Sequence, residues 1–125
     1  VRGPQLLVIR RSQFVRAPGA YCFPGGGIET GEDEPTALLR ELREELSAEG
    51  RAVRRLYENQ TPSGLSLAWW LTALEPDSPL IPNPREVESW HWLTQAEIRK
   101  LPGLLVTNRQ FLDACDRAEF VLESS

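Results

Sequence analysis

The sequence predicts a mixed α/β domain in which helices are layered on a sheet. Three patterns point to it. Short apolar, β-branched or aromatic blocks at residues 5–10, 51–61, 65–74 and 87–93 read as strands. Leucines recur at helical spacing between Pro35 and Leu46. Several strands are joined by short turns, which favours hairpins among helices over a regular strand–helix alternation. The chain has 125 residues, enough for one domain with its own core, so residues 1–125 read as a single domain.

Each element has a local reason. Val1-Arg2-Gly3-Pro4 reads as a turn, so a strand is expected ahead of this sequence, which contains no methionine. Residues 5–10 form a short apolar run, expected to be a buried strand. "APGAYCFPGGG" is turn chemistry around a short aromatic segment, Tyr21–Phe23. Pro35 suits the first turn of a helix carrying Leu38, Leu39, Leu42 and Leu46, and that helix is expected to stop near Ser47–Gly50, with Gly50 as the stop. Residues 51–61 and 65–74 read as strands around the turn "TPSG". "PDSPLIPNP" holds four prolines in nine residues and must be a loop. Residues 87–93 form a strand. "TQAEIRKL" is a short helix with Thr94 as N-cap and Glu97 three residues on. "TNRQFLDACDRAEF" is a last helix, with Thr107 or Asn108 as its cap.

Composition narrows the function. A net charge of −4 argues against polymeric nucleic acid as a partner, which calls for a basic face. No apolar run approaches a membrane span, and no secretory signal is visible. Cys22 and Cys115 lie far apart without metal-ligand spacing, so they read as reduced thiols of a cytoplasmic protein.

The chemistry concentrates in "GGGIETGEDEPTALLRELREEL", residues 25–46. A helix turns about 100° per residue, so Glu41, Glu44 and Glu45 project from one stripe while Leu38, Leu42 and Leu46 occupy the next and can face the core. Grouped carboxylates repel one another unless a cation lies among them. Hard oxygen ligands select Mg²⁺ or Mn²⁺, and Mg²⁺ shares its remaining positions with substrate phosphates. Taken alone, the helix also fits a solvated face on which Arg40 and Arg43 pair with nearby acids. The preceding glycines favour the metal reading, since Gly25, Gly26, Gly27 and Gly31 let backbone groups approach an ion or a phosphate.

Gly26, Glu32, Arg40, Glu41, Leu42, Glu44 and Glu45 fall on the pattern G, five residues, E, seven residues, R-E-U-x-E-E, with U bulky and aliphatic. This stretch resembles the Nudix box. Ser47 and Ala48 depart from it, standing where the pattern has glycine and an aliphatic residue. The Phe-Pro pair before the glycines and Trp92 followed by "LTQAEI" extend the resemblance over nearly the whole chain.

The resemblance implies an α/β/α sandwich and a hydrolase that cuts the diphosphate of a nucleoside diphosphate linked to another moiety, using Mg²⁺ or Mn²⁺. It implies Glu41, Glu44 and Glu45 as metal ligands, with a carbonyl near Gly25 or Gly26 completing the shell. Glu44 or Glu41 would serve in catalysis, and Glu32 and Arg40 would brace loop against helix. Arg10, Arg16, Glu86 and Glu88 are weaker candidates on the substrate side. His91, flanked by Trp90 and Trp92, reads as structural, and one of Tyr21, Tyr57, Trp69 and Trp70 could stack on a base. "RRSQFVRAPGAYCFPGG" partly resembles the coenzyme A pyrophosphatase signature. That activity, a nucleotide-binding sensor without turnover, and a homodimer all stay open.

Overall fold

The computed structural model describes residues 5–25, 30–75, 77 and 79–122. In chain order the elements are β1 (Gln5–Arg11), β2 (Tyr21–Cys22), α1 (Glu34–Leu46), β3 (Gly50–Gln60), β4 (Ser66–Leu74), β5 (Val87–Thr94), α2 (Gln95–Arg99) and α3 (Val106–Asp116). The turn read at residues 1–4 lies outside the described residues.

β1 sits between β2 and β5 and pairs antiparallel with both. Leu6, Leu7, Val8 and Ile9 are all buried because helices cover both faces of this strand. Leu7 and Ile9 pack with Cys22, Leu42 and Leu46 on the α1 side, while Leu6 and Val8 pack with Ile98, Phe111 and Leu112 on the α2 and α3 side. The result is the expected sandwich. β3 and β4 form a separate antiparallel pair whose Leu56, Tyr57 and Trp69 join the core around Phe111. Every pairing between these strands is antiparallel, and among the described residues the parallel component is one bridge between Tyr21 and Leu104.

Two element boundaries differ from expectation. α1 ends at Leu46, with Ser47 in a left-handed conformation at φ 53° and the Ala48 N–H turned back to the Leu42 carbonyl. Gly50 is therefore the first residue of β3 rather than the stop of α1. A side chain there would meet the Ala73 carbonyl oxygen at 2.6 Å, so strand pairing is what demands glycine. α3 begins at Val106, and neither Thr107 nor Asn108 caps it; its N-cap is Leu105, with no side-chain bond. Both polar residues are buried in the first turn, where the Asn108 Oδ1 accepts from the Phe23 N–H at 2.8 Å. The side chain that could have capped α3 instead anchors the segment after β2. α2 does carry the expected capping box between Thr94 and Glu97. Among the described residues no helix is long and apolar enough to cross a membrane.

Candidate active site

The burial of Leu42 and Leu46 against β1 fixes the rotation of α1 and turns Glu41 and Glu45 to the edge of the core. The Asp33 side chain caps the helix by accepting from the Thr36 N–H at 2.9 Å. Glu45 is the deepest acid, with 6% of its surface exposed, and its Oε1 accepts from the Gly25 N–H at 2.9 Å. Gly25 has φ 152°, a backbone that favours glycine. Gly26 and Gly27 lie outside the described residues, so the expected carbonyl ligand at Gly26 does too.

Arg40 ties the turn to the helix. Its Nε and Nη2 donate to the two carboxylate oxygens of Glu32 at 2.7 and 3.0 Å. Its Nη1 donates to Glu41 at 3.0 Å and to Glu44 at 3.1 Å. A planar guanidinium suits this two-pronged geometry, and a lysine could not reproduce it. Glu41 is nearly covered, whereas Glu44 remains about half exposed, at 47%.

A fourth acid comes from the proline-rich loop. The Ile81 N–H donates to the Leu46 carbonyl and the Asn83 N–H to the Glu45 carbonyl, each at 2.8 Å. The loop thereby satisfies carbonyls that a helix C-terminus leaves open. Beyond Asn83 the chain turns, and Ser12, just past β1, holds the turn: its Oγ donates to the Arg85 carbonyl at 2.6 Å and its N–H to the Glu86 carbonyl at 3.1 Å. Glu86 Oε2 is buried with no hydrogen-bond partner.

These carboxylates perturb one another. Burial pushes the Glu45 carboxyl up to about 8; Glu41 and Glu86 add to the rise, while the Gly25 N–H and Arg11 oppose it. Burial also raises Glu41 above the usual carboxylate range, against the pull of Arg40, with Glu44 and Glu86 contributing. Covered acids in mutual repulsion, one with an unpartnered oxygen, are unfavourable without a cation. Their all-oxygen chemistry suits a hard divalent ion. In the arrangement seen, with Glu41 and Glu44 turned to Arg40, no three such groups among the described residues stand close enough to hold one ion.

The weaker sequence candidates separate by face. Arg16 is exposed, and its carbonyl accepts from Arg11 Nε at 2.6 Å. Arg10 lies on the other face of β1, over the Tyr21 ring and paired with Glu88 at 3.3 Å. His91 is also on that face, bonded to Ser89 at 2.8 Å and beside Tyr21. Trp69 and Tyr57 belong to the aromatic core around Phe111, and Trp70 Nε1 donates to Glu34 at 2.9 Å. Sequence reasoning passed over Arg11, whose guanidinium lies by the Cys22 sulfur and whose charge acts on Glu45. Strand alternation does not announce it, since residues 6–9 are all apolar and the β1–β5 register shifts between Arg10 and Arg11.

The profile of the NUDIX domain matches residues 1–115. Among curated proteins, the NAD-capped RNA hydrolase NudC of Deinococcus radiodurans is 30% identical over 98 residues, which is 78% of this chain and 35% of that one. The chain thus spans little more than a third of that relative's length. Among solved structures, a MutT protein from Methanosarcina mazei superposes with a TM-score of 0.74 at 21% identity, covering 93% of this chain and 86% of that one. An ADP-ribose pyrophosphatase from Streptococcus suis gives 0.72 at 17% identity, covering 100% and 90%. At these identities the superpositions show a shared fold.

Proposed function

The chain belongs to the NUDIX domain family, and we propose from that premise that it hydrolyses the diphosphate bond of a nucleoside diphosphate linked to another group, with Mg²⁺ or Mn²⁺ as cofactor. The observation that carries this reading is the mutual repulsion of the covered acids Glu41, Glu45 and Glu86, with a Glu86 oxygen buried and unpartnered. Glu41, on turning from Arg40, would hold the cation together with Glu45 and Glu86. When bound, the cation neutralises diphosphate oxygens and makes a water more acidic.

The protein's own groups do the rest. Arg11 extends a positive charge toward the acids from the β1 side and is suited to a phosphate oxygen. Glu44, the most exposed acid of α1, would take the proton as a water oxygen bonds to phosphorus once it leaves Arg40. The bridging phosphorus–oxygen bond breaks, leaving two phosphate-ended fragments. Arg40 and Glu32 keep the turn against the helix throughout.

The name of the Deinococcus relative favours a second substrate reading, a dinucleotide diphosphate joined to RNA. It bears against the expectation, drawn from charge alone, that polymeric nucleic acid plays no part. One panel tests both: NAD⁺, ADP-ribose, coenzyme A, nucleoside triphosphates and NAD-capped RNA, each with Mg²⁺ or with chelator, and products identified by mass. Cleavage of a diphosphate in at least one of these, dependent on the metal, is expected. Nucleotide binding without cleavage across the panel would instead indicate a sensor.

A further inference from the structure

We infer that Asn83 is a positioning residue, one that sets the Glu86 carboxylate against the acids of α1 and so tunes the affinity of the site for its divalent cation. The inference rests on the metal reading above.

Asn83 makes contacts in two directions. Toward α1, its N–H donates to the Glu45 carbonyl at 2.8 Å and its Nδ2 to the Glu44 carbonyl at 3.3 Å. The residues it grips through the backbone are the two whose side chains are counted among the acids. Toward Glu86, its Oδ1 accepts from the Arg85 N–H at 3.1 Å, and its carbonyl accepts from the N–H groups of Glu86 and Val87 at 2.9 and 2.8 Å. The side chain thus closes a local turn two residues on, and the backbone closes a second three residues on.

The sequence favours this geometry. In Asn83-Pro84-Arg85-Glu86, asparagine opens a turn and proline follows it, the residue types that such turns prefer at their first two positions. Pro82 precedes Asn83, so the asparagine stands between two residues of fixed φ and its own bonds decide where the turn points. Ser12 bonds the carbonyls of Arg85 and Glu86, while the Arg85 N–H inside the turn is held by the Asn83 side chain. Without the Asn83 side chain, the backbone bonds hold the loop on α1, but the turn loses the bond that fixes its direction. Glu86 Oε2, buried and unpartnered, is the atom whose position would then wander.

The test is binding of Mn²⁺ alone, read from the loss of the free-ion paramagnetic resonance signal and independent of turnover. Asn83→Ala is expected to weaken Mn²⁺ binding about tenfold, the low end for residues that orient a metal ligand. Asn83→Gln should weaken it similarly, because the longer side chain cannot close the same turn; it carries the comparison should the alanine variant not fold. Asn83→Ser retains a short acceptor and should recover most of the loss. In a Glu86→Gln background, Asn83→Ala should add little further loss, since the residue acts through Glu86. Wild-type affinity in both Asn83→Ala and Asn83→Gln, or an undiminished loss in the Glu86→Gln background, overturns the inference while leaving the metal site standing. Absence of Mn²⁺ binding by the wild-type protein overturns the metal reading and this inference together.

Discussion

Glu45 is the residue on which the electrostatics turn. Its carboxyl titrates near 8 in the fold against an ordinary 4.5, because it is buried among other acids. Between those values the folded state holds a proton that the unfolded state has lost. The stability contributed by Glu45 is therefore fully present below pH 4.5 and is lost as the pH rises toward 8. In chelator, the melting temperature of the wild-type protein should fall from pH 5 to pH 8 more steeply than that of Glu45→Gln, and saturating Mg²⁺ should flatten the wild-type slope. Parallel slopes for the two proteins in chelator would mean that Glu45 does not carry this charge. Residue identity alone could not have given the result. The sequence places three glutamates on one stripe, but only packing separates Glu45, covered and bonded to Gly25, from Glu44, about half open to solvent. Arg11 escaped notice for a related reason: Leu6, Leu7, Val8 and Ile9 are all apolar, so the strand shows no alternation from which to tell which of Arg10 and Arg11 faces α1.

At the scale of elements, α1 was the most legible part of the chain, since its leucine spacing and early proline are strong local signals. Its end was less so. Ser47 occupies a left-handed position that glycine normally fills, with φ 53°. Ser47→Gly should therefore raise stability by about 1 kcal/mol, the scale of the left-handed cost to an L residue, in urea denaturation. No gain would mean that the Ser47 side chain contributes something the backbone geometry does not reveal. The start of α3 was misread because Asn108 serves a distant partner, Phe23, which no local pattern announces. The loop before β5 was legible as a loop, yet four prolines left no periodicity to show that it docks on α1 and brings Glu86 to the site. The brace between turn and helix also belongs to this scale. Glu32 and Arg40 are eight residues apart, largely covered and joined by two bonds. A double-mutant cycle of Glu32→Ala and Arg40→Ala should give a coupling of about 0.5–3 kcal/mol. Simple additivity would argue that the pair does not link turn to helix.

At the scale of the whole molecule, β1 joins two cores with different duties. On one side the aromatic rings of Phe23, Trp69 and Phe111 lock the β3–β4 pair to α3. On the other, α1 rests on Leu7 and Ile9 and carries the acids at its edge. The site draws its parts from the end of β1, the turn after β2, α1 and the loop before β5, so it exists only when these four segments are brought together. That dispersal is why the fold and the acids of α1 could be read from sequence while Glu86 and Arg11 took their places only in three dimensions. The central claim is that these acids hold the cation that makes diphosphate hydrolysis possible. Its most direct test compares turnover in saturating Mg²⁺ of the wild-type protein, Glu45→Gln, and Glu97→Gln, whose carboxylate serves the capping box of α2. Glu45→Gln should lose roughly a hundredfold or more, the scale of a central electrostatic group, while Glu97→Gln stays close to wild type. Equal turnover in the two variants would contradict the account.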